Sequence, residues 1–194
     1  LGADTVDHFV YTICSDGDLA EGVSHEAASL AGHLGLGRLI CIYDDNRISI
    51  DGPTDIWLSD DPVKRFDAYG WHVVDLGDAG DDLDAIEAAI REAQRVEDRP
   101  SMLVLRTHIG TPSPTLTDVH DAHGYAFKDE QIAETKRVLG LDPEQTFEVD
   151  DEVLDWYRET ASRGREDREA WQARNPSPPP DRKSTRLNTS HSSV

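Results

Sequence analysis

Cysteine is nearly absent from this 194-residue chain, which holds only Cys14 and Cys41. A disulfide framework is thereby excluded, and a metal–thiolate cluster nearly so. Both lie in apolar runs and read as reduced core residues of a cytoplasmic protein. Basic residues are scarce too: 19 Lys and Arg stand against 39 Asp and Glu, a net charge of −20. A field of that sign repels phosphate backbones and anionic lipid, so neither nucleic acid nor a membrane surface is expected as a partner. No apolar run approaches the roughly 18 residues of a membrane span, and no charged-then-apolar leader opens the chain. There is no internal repeat, no Gly-x-Gly-x-x-Gly and no Gly-Lys-Ser/Thr loop, which argues against dinucleotide or ATP binding. An initiator methionine is missing as well, so the sequence reads as a piece of a longer protein.

What is present suffices for one core: 37% of the residues are hydrophobic, and the length suits about one domain. His8–Ser15 is a short apolar run ending at Asp-Gly and predicts a buried strand. Apolar and small residues then recur at helical spacing over Ala20–Leu34 (Val23, Ala27, Leu30, Ala31, Leu34), and Gly35 and Gly37 stop the pattern. Arg38–Asp44 is a second continuous apolar run, the mark of a strand covered on both faces. Strand, helix and strand at this spacing make a βαβ unit. Further along, helices are predicted at Asp61–Tyr69, Asp82–Val96, Glu130–Leu139 and Asp150–Ala173, with strands at Gly70–Asp75 and Met102–Arg106. The last helix is dense in charge and belongs on the surface. The alternation predicts a three-layer α/β/α domain with a mostly parallel sheet over residues 1–174, incomplete at its N-terminus. Residues 175–180 read as a proline-rich linker. Residues 181–194 are polar and without period; they read as a disordered tail that arose as a sequencing artefact.

In an open parallel sheet, ligands bind beyond the carboxyl ends of the strands. Ser15–Gly22, Asp44–Gly52 and Thr107–Gly124 leave those ends. In the first, Gly17 allows close backbone approach where a helix begins, a place suited to a diphosphate. A carboxylate at that place, Asp16, is repulsive unless a cation lies between; alternatively Asp16 is a helix N-cap. Asn46 follows thirty residues later, at the end of the next strand and on the same edge. A carboxylate, an amide oxygen and a backbone carbonyl are hard oxygen ligands of the kind Mg²⁺ or Ca²⁺ takes. Asp44-Asp45-Asn46 taken alone is equally a turn-former.

The stretch DGDLAEGVSHEAASLAGHLGLGRLICIYDDNRISIDG resembles the thiamine diphosphate motif of transketolases. The resemblance extends to Ala68–Trp71 (AYGW) and to the Ile109-Gly110 and His123-Gly124 pairs, covering about residues 7–173. It implies the thiamine-diphosphate-binding fold and, specifically, its diphosphate-binding domain. By position, Asp16, Asn46 and the Ile48 carbonyl would ligate Mg²⁺ or Ca²⁺, and the Gly17 amide would meet the diphosphate. Glu21 resembles the acid that faces the partner subunit's cofactor-activating glutamate; alone it also reads as a first-turn acid favoured by the helix dipole. Ile50 and Ile109 would wall the cofactor rings, a role compatible with plain core packing. His123 resembles the histidine near the diphosphate and thiazolium that binds or protonates substrate, with His120 the other candidate. The remaining histidines read as surface or packing residues. One departure is Ser15, which replaces the leading glycine of the motif and is tolerable if its φ is negative. Another is the loop Thr111–Ala122, which carries two prolines and few glycines.

The resemblance implies two-carbon ketol transfer between sugar phosphates, by an enzyme whose pyrimidine-binding domain and homodimer partner complete the site. The isolated chain is therefore expected to be inactive and to bind cofactor weakly. The alternatives are the N-terminal subunit of a split transketolase, and a non-catalytic α/β module that uses the same edge to bind a ligand or a protein.

Overall fold

The computed structural model describes residues 5–175. The proline-rich segment beyond Asn175 and the tail 181–194 lie outside the described residues. The described residues divide into two compact units, one of residues 8–146 and one that joins residues 5–7 to 147–175.

The larger unit is built on four parallel strands in the order β1-β2-β6-β5, where β1 is Val10–Ser15, β2 Leu39–Asp45, β5 His72–Asp75 and β6 Ser101–Arg106. Alternation along the central strands sends side chains to two separate cores. Cys41 and Tyr43 of β2, with Met102 and Val104 of β6, face one side, packed with Leu19, Ala28, Ala31, Phe66 and Trp71. Ile40 of β2 and Leu103 of β6 face the other, packed with Ala89 and Ala93. The first core is closed by α1 (Asp16–Ala20), α2 (Gly22–His33) and α3 (Pro62–Ala68), the second by α4 (Leu83–Ala93). This is the predicted α/β/α sandwich with a parallel sheet. Two of these helices start where side chains supply a cap. The Asp61 carboxylate accepts from the Lys64 N–H at 3.1 Å, with Pro62 at the first helical position. That of Asp82 accepts from the Asp84 and Ala85 N–H groups at 3.0 Å each.

Two expectations change. The run His8–Ser15, predicted to be buried, forms β1 at the edge of the sheet, paired with β2 alone, and Ile13 is 74% exposed. Apolar content marks a strand; which strand lies at the edge is a property of sheet order. The helix predicted over Ala20–Leu34 begins earlier, at Asp16, and is interrupted at Glu21, whose ψ of 134° is extended. Its resumed part packs through Ala28 and Ala31, and leaves Val23, Leu30 and Leu34 exposed. The helix presents its small side because it lies against backbone. Gly32 faces the Tyr69 carbonyl so closely that an added Cβ would come within 1.9 Å of that oxygen. Trp71 donates its indole N–H to the Ala28 carbonyl at 2.8 Å. Cys14 and Cys41 are free thiols with Sγ atoms 3.4 Å apart. Sharing a hydrogen bond with Cys41, together with burial, pushes the Cys14 thiol well above its ordinary range.

Beyond β6 the chain forms a short helix α5 (Asp121–Gly124) inside the predicted loop, then α6 (Asp129–Val138). In the smaller unit, α7 (Asp151–Arg174) has no buried residue, as its charge density predicts. The Trp171 indole N–H donates to the Thr5 carbonyl at 2.9 Å and ties the two segments of that unit together. Among the described residues, no helix is long and apolar enough to cross a membrane.

Candidate cofactor and metal site

The three predicted segments leave the carboxyl ends of adjacent strands β1, β2 and β6. Register brings the first two together: Ser15 lies opposite Asp44, so Asp16 emerges beside the Asp44–Asn46 turn. Ser15 has φ −124°, which removes the steric objection to a side chain where the motif has glycine. It also takes the N-cap position of α1. Its backbone N–H and its hydroxyl both donate to Asp18 Oδ2, at 2.9 and 3.2 Å.

Asp16 is thereby relieved of capping, and its carboxylate turns inward, 2% exposed. Oδ1 accepts from the Tyr43 hydroxyl, and Oδ2 from the Arg47 N–H at 3.1 Å. No ion pair to a described cationic side chain accompanies it. Burial raises the Asp16 pKa above the ordinary carboxylate range, and the nearby Asp45 and Asp44 add to the rise, against the lowering effect of the two hydrogen bonds.

Arg47 reaches Asp16 through its backbone because it adopts the left-handed region, φ 61°, uncommon for a residue with a Cβ. That turn separates Asn46 from Ile48. The Asn46 side chain is buried and fixed at both ends. Oδ1 accepts from the Ile48 N–H at 2.9 Å, and Nδ2 donates to Asp44 Oδ2 at 3.3 Å. Asp44 Oδ1 in turn accepts from the Thr107 hydroxyl at the end of β6. Ile48 opens a small antiparallel hairpin, β3 (Ile48–Ser49) with β4 (Gly52–Pro53). The Thr54 N–H donates to the Arg47 carbonyl at 3.0 Å, so Ile48 and Pro53 are a non-hydrogen-bonded pair and the Ile48 carbonyl faces away from β4.

A cavity of about 300 Å³ is lined by Gly17, Ile48, Ser49, Ile50, Asp51, Trp57 and His123. Four predicted residues thus share one wall. The structure places His123 there, whereas His120 lies at the start of α5 with Nε2 3.4 Å from Asp121 Oδ1. A Cβ built on Gly17 meets no atom within 4 Å, so packing does not demand glycine at this point. Four predicted residues are not on that wall: Asp16 and Asn46, placed above, and Glu21 and Ile109. Glu21 is exposed at the break between α1 and α2. Ile109 is half-buried in the loop after β6, its carbonyl accepting from the Asp118 N–H at 2.9 Å.

Residues 1–178 match the family model described as transketolase, thiamine diphosphate binding domain. The chain belongs to the transketolase thiamine diphosphate-binding family. It is 48% identical to a transketolase of Mycobacterium leprae over 171 residues, which are 88% of this chain and 24% of that protein. It is 52% identical to transketolase 2 of Vibrio parahaemolyticus over 152 residues, 78% of this chain and 22% of that protein. The chain therefore spans about a quarter of the length of the curated relatives it matches. Among solved structures it superposes on the transketolase of Campylobacter jejuni with a TM-score of 0.85 at 31% identity, covering 95% of this chain and 28% of that one. The Pichia stipitis transketolase in complex with sedoheptulose 7-phosphate gives a TM-score of 0.82 at 42% identity, over 86% of this chain and 25% of that one.

Other residues of this transketolase domain shape the site without having been singled out in the sequence. Trp57 and Ser49 line the cavity and bond to each other, the indole N–H donating to Ser49 Oγ at 3.2 Å. Tyr43 and Asp44 read as strand and turn residues, and their bonds to Asp16 and Asn46 depend on side-chain direction. A period-2 count does separate them: Tyr43 shares the face of Cys41, and Asp44 the opposite one.

Proposed function

We propose that this chain is the diphosphate-anchoring part of a transketolase. In this reading it binds thiamine diphosphate through Mg²⁺ or Ca²⁺ for two-carbon ketol transfer between sugar phosphates. The observation that carries it is Asp16, a buried carboxylate beside Asp44 and Asp45 that forms no ion pair with a described cationic side chain and lines a cavity of about 460 Å³. An added divalent cation is the charge such a site lacks. The donor set suits a hard cation: the Asp16 carboxylate, the amide oxygen of Asn46 and the Ile48 carbonyl. Asn46 ligates without adding negative charge beside a diphosphate.

When bound, thiamine diphosphate supplies the carbanion chemistry that breaks and forms carbon–carbon bonds. The chain's own residues hold and orient. The Gly17 N–H donates to a diphosphate oxygen, and Ile50 and Ile109 give apolar contact to the rings. His123 hydrogen-bonds or protonates a substrate oxygen. Glu21 faces the pyrimidine-binding domain of a second subunit, which completes the site in a cytoplasmic homodimer. Without that domain the isolated chain lacks ketol-transfer activity and binds the cofactor weakly.

Calorimetric titration of thiamine diphosphate into the wild-type chain and Gly17→Ala, with and without Mg²⁺, tests this reading. Wild type is expected to bind only with Mg²⁺. Gly17→Ala is expected to bind at least about tenfold more weakly, because the Cβ occupies the approach to the amide. Its melting temperature should not fall, since alanine in a helix with open space beside it gains roughly 0.5–1 kcal/mol. Binding that ignores Mg²⁺, or a variant that binds like wild type, refutes the proposal.

A further inference from the structure

We propose that Tyr43 is a positioning residue for the cation, through the orientation it imposes on Asp16. The inference rests on the cation-binding reading above and goes beyond it, to a residue that touches neither metal nor cofactor. Tyr43 is 3% exposed and belongs to the buried cluster that also holds Leu19, Phe66, Trp71 and Val104. The ring therefore has little freedom, and the hydroxyl is carried to a fixed place. There it donates to Asp16 Oδ1, while the Arg47 N–H holds Oδ2 at 3.1 Å.

Two donors, one on each oxygen, set both the direction and the rotation of the carboxylate plane. Each oxygen keeps a lone pair in that plane, so the clamp leaves Asp16 able to ligate. The two donors differ in kind. The Arg47 amide belongs to the Asn46–Ile48 turn and moves with the other ligands. Tyr43 belongs to the core face of β2, and its bond refers the ligand set to the rigid sheet. Outer-shell partners of this sort typically contribute about 10–100-fold to metal affinity.

The test titrates Mn²⁺ into the 194-residue chain in the presence of thiamine diphosphate, reading free and bound Mn²⁺ by electron paramagnetic resonance. Four proteins are compared: wild type, Asp16→Ala, Tyr43→Phe and Phe66→Leu. Tyr43→Phe removes one oxygen and keeps the ring in place. Phe66→Leu disturbs the same core without touching Asp16. The expected result is weak but saturable binding by wild type, none by Asp16→Ala, and a 10–100-fold loss with an altered Mn²⁺ line shape in Tyr43→Phe. Phe66→Leu should melt lower and keep wild-type affinity.

If Tyr43→Phe binds like wild type while Asp16→Ala does not, the positioning role is wrong and the cation site stands. An equal loss in Phe66→Leu also overturns the role, since general loosening then accounts for it. If wild type fails to bind, or Asp16→Ala binds like wild type, the cation reading falls and this inference falls with it.

Discussion

Replacing Asp16 with alanine is expected to abolish Mg²⁺-dependent binding of thiamine diphosphate while leaving the fold intact. The loss should exceed the roughly 10–100-fold that removal of a supporting outer-shell partner costs, because a ligand itself is removed. Folding survives because the substitution removes two opposing contributions. It leaves the Tyr43 hydroxyl and the Arg47 N–H without their acceptor, at about 1–3 kcal/mol each. It also removes a carboxylate that burial, Asp45 and Asp44 all disfavour in its ionised form. The pH dependence has a definite sign. The folded, cation-free chain holds the Asp16 proton more tightly than the unfolded chain does. The stabilisation from this group is therefore complete below the ordinary carboxylate range, and is lost as pH rises through the raised value. A cation competes with the same proton, so affinity falls on acidification, and the fall begins above the pH at which an ordinary aspartate titrates. Melting curves at several pH values, with and without Mg²⁺, check both statements. Wild type should be stabilised by Mg²⁺ increasingly as pH rises, and Asp16→Ala at no pH. A variant that keeps its Mg²⁺-dependent stabilisation would remove Asp16 from the site.

The layers of the fold were legible because the continuous apolar runs of β2 and β6 mark strands covered on both faces. In the structure Cys41, Tyr43, Met102 and Val104 go to one core and Ile40 and Leu103 to the other. The edge position of β1 was not legible, since an apolar run looks the same whether one or two neighbours pair with it. Nor was the break at Glu21, which no proline or preceding glycine marks. At the candidate site, spacing brought Asp16 and Asn46 to one edge, and register put them there. The assignment of Asp16 was open between cap and ligand on sequence alone. The structure removes the cap, because Ser15 takes the N-cap position and Asp16 turns inward. The hairpin at Ile48–Pro53 escaped notice because two-residue strands carry no period. Tyr43 escaped for another reason: a tyrosine in an apolar run reads as core, and it is core, with only its hydroxyl engaged elsewhere.

The phrases SLAGHLGLG and AYGW, which carried much of the family resemblance, have a physical meaning that a large effect can test. They are two sides of one contact. Gly32, from the first, abuts the Tyr69 carbonyl from the second; Trp71 donates to Ala28, and the Tyr69 hydroxyl lies 3.1 Å from His25 Nδ1. In an exposed helix, glycine to alanine gains about 1 kcal/mol. Here the sign should reverse. An added Cβ lies 1.9 Å from the Tyr69 oxygen and 3.1 Å from its carbon, and both are backbone atoms that no rotamer change can withdraw. Either α2 lifts from the sheet or the Tyr69–Trp71 turn shifts, and either movement disturbs the core at Ala28, Ala31, Phe66 and Trp71. Gly32→Ala is expected to destabilise by at least about 2–3 kcal/mol, a fall in melting temperature of roughly 5–12 °C for a chain of this size. Gly17→Ala supplies the opposing case: the same atoms are added to a neighbouring helix, where they meet nothing within 4 Å. The pair separates the two uses of glycine in one motif. Gly32 should cost stability when replaced, and Gly17 should cost binding. Should Gly32→Ala melt at or above wild type, α2 does not sit against the Tyr69 carbonyl, and the motif phrases need another explanation.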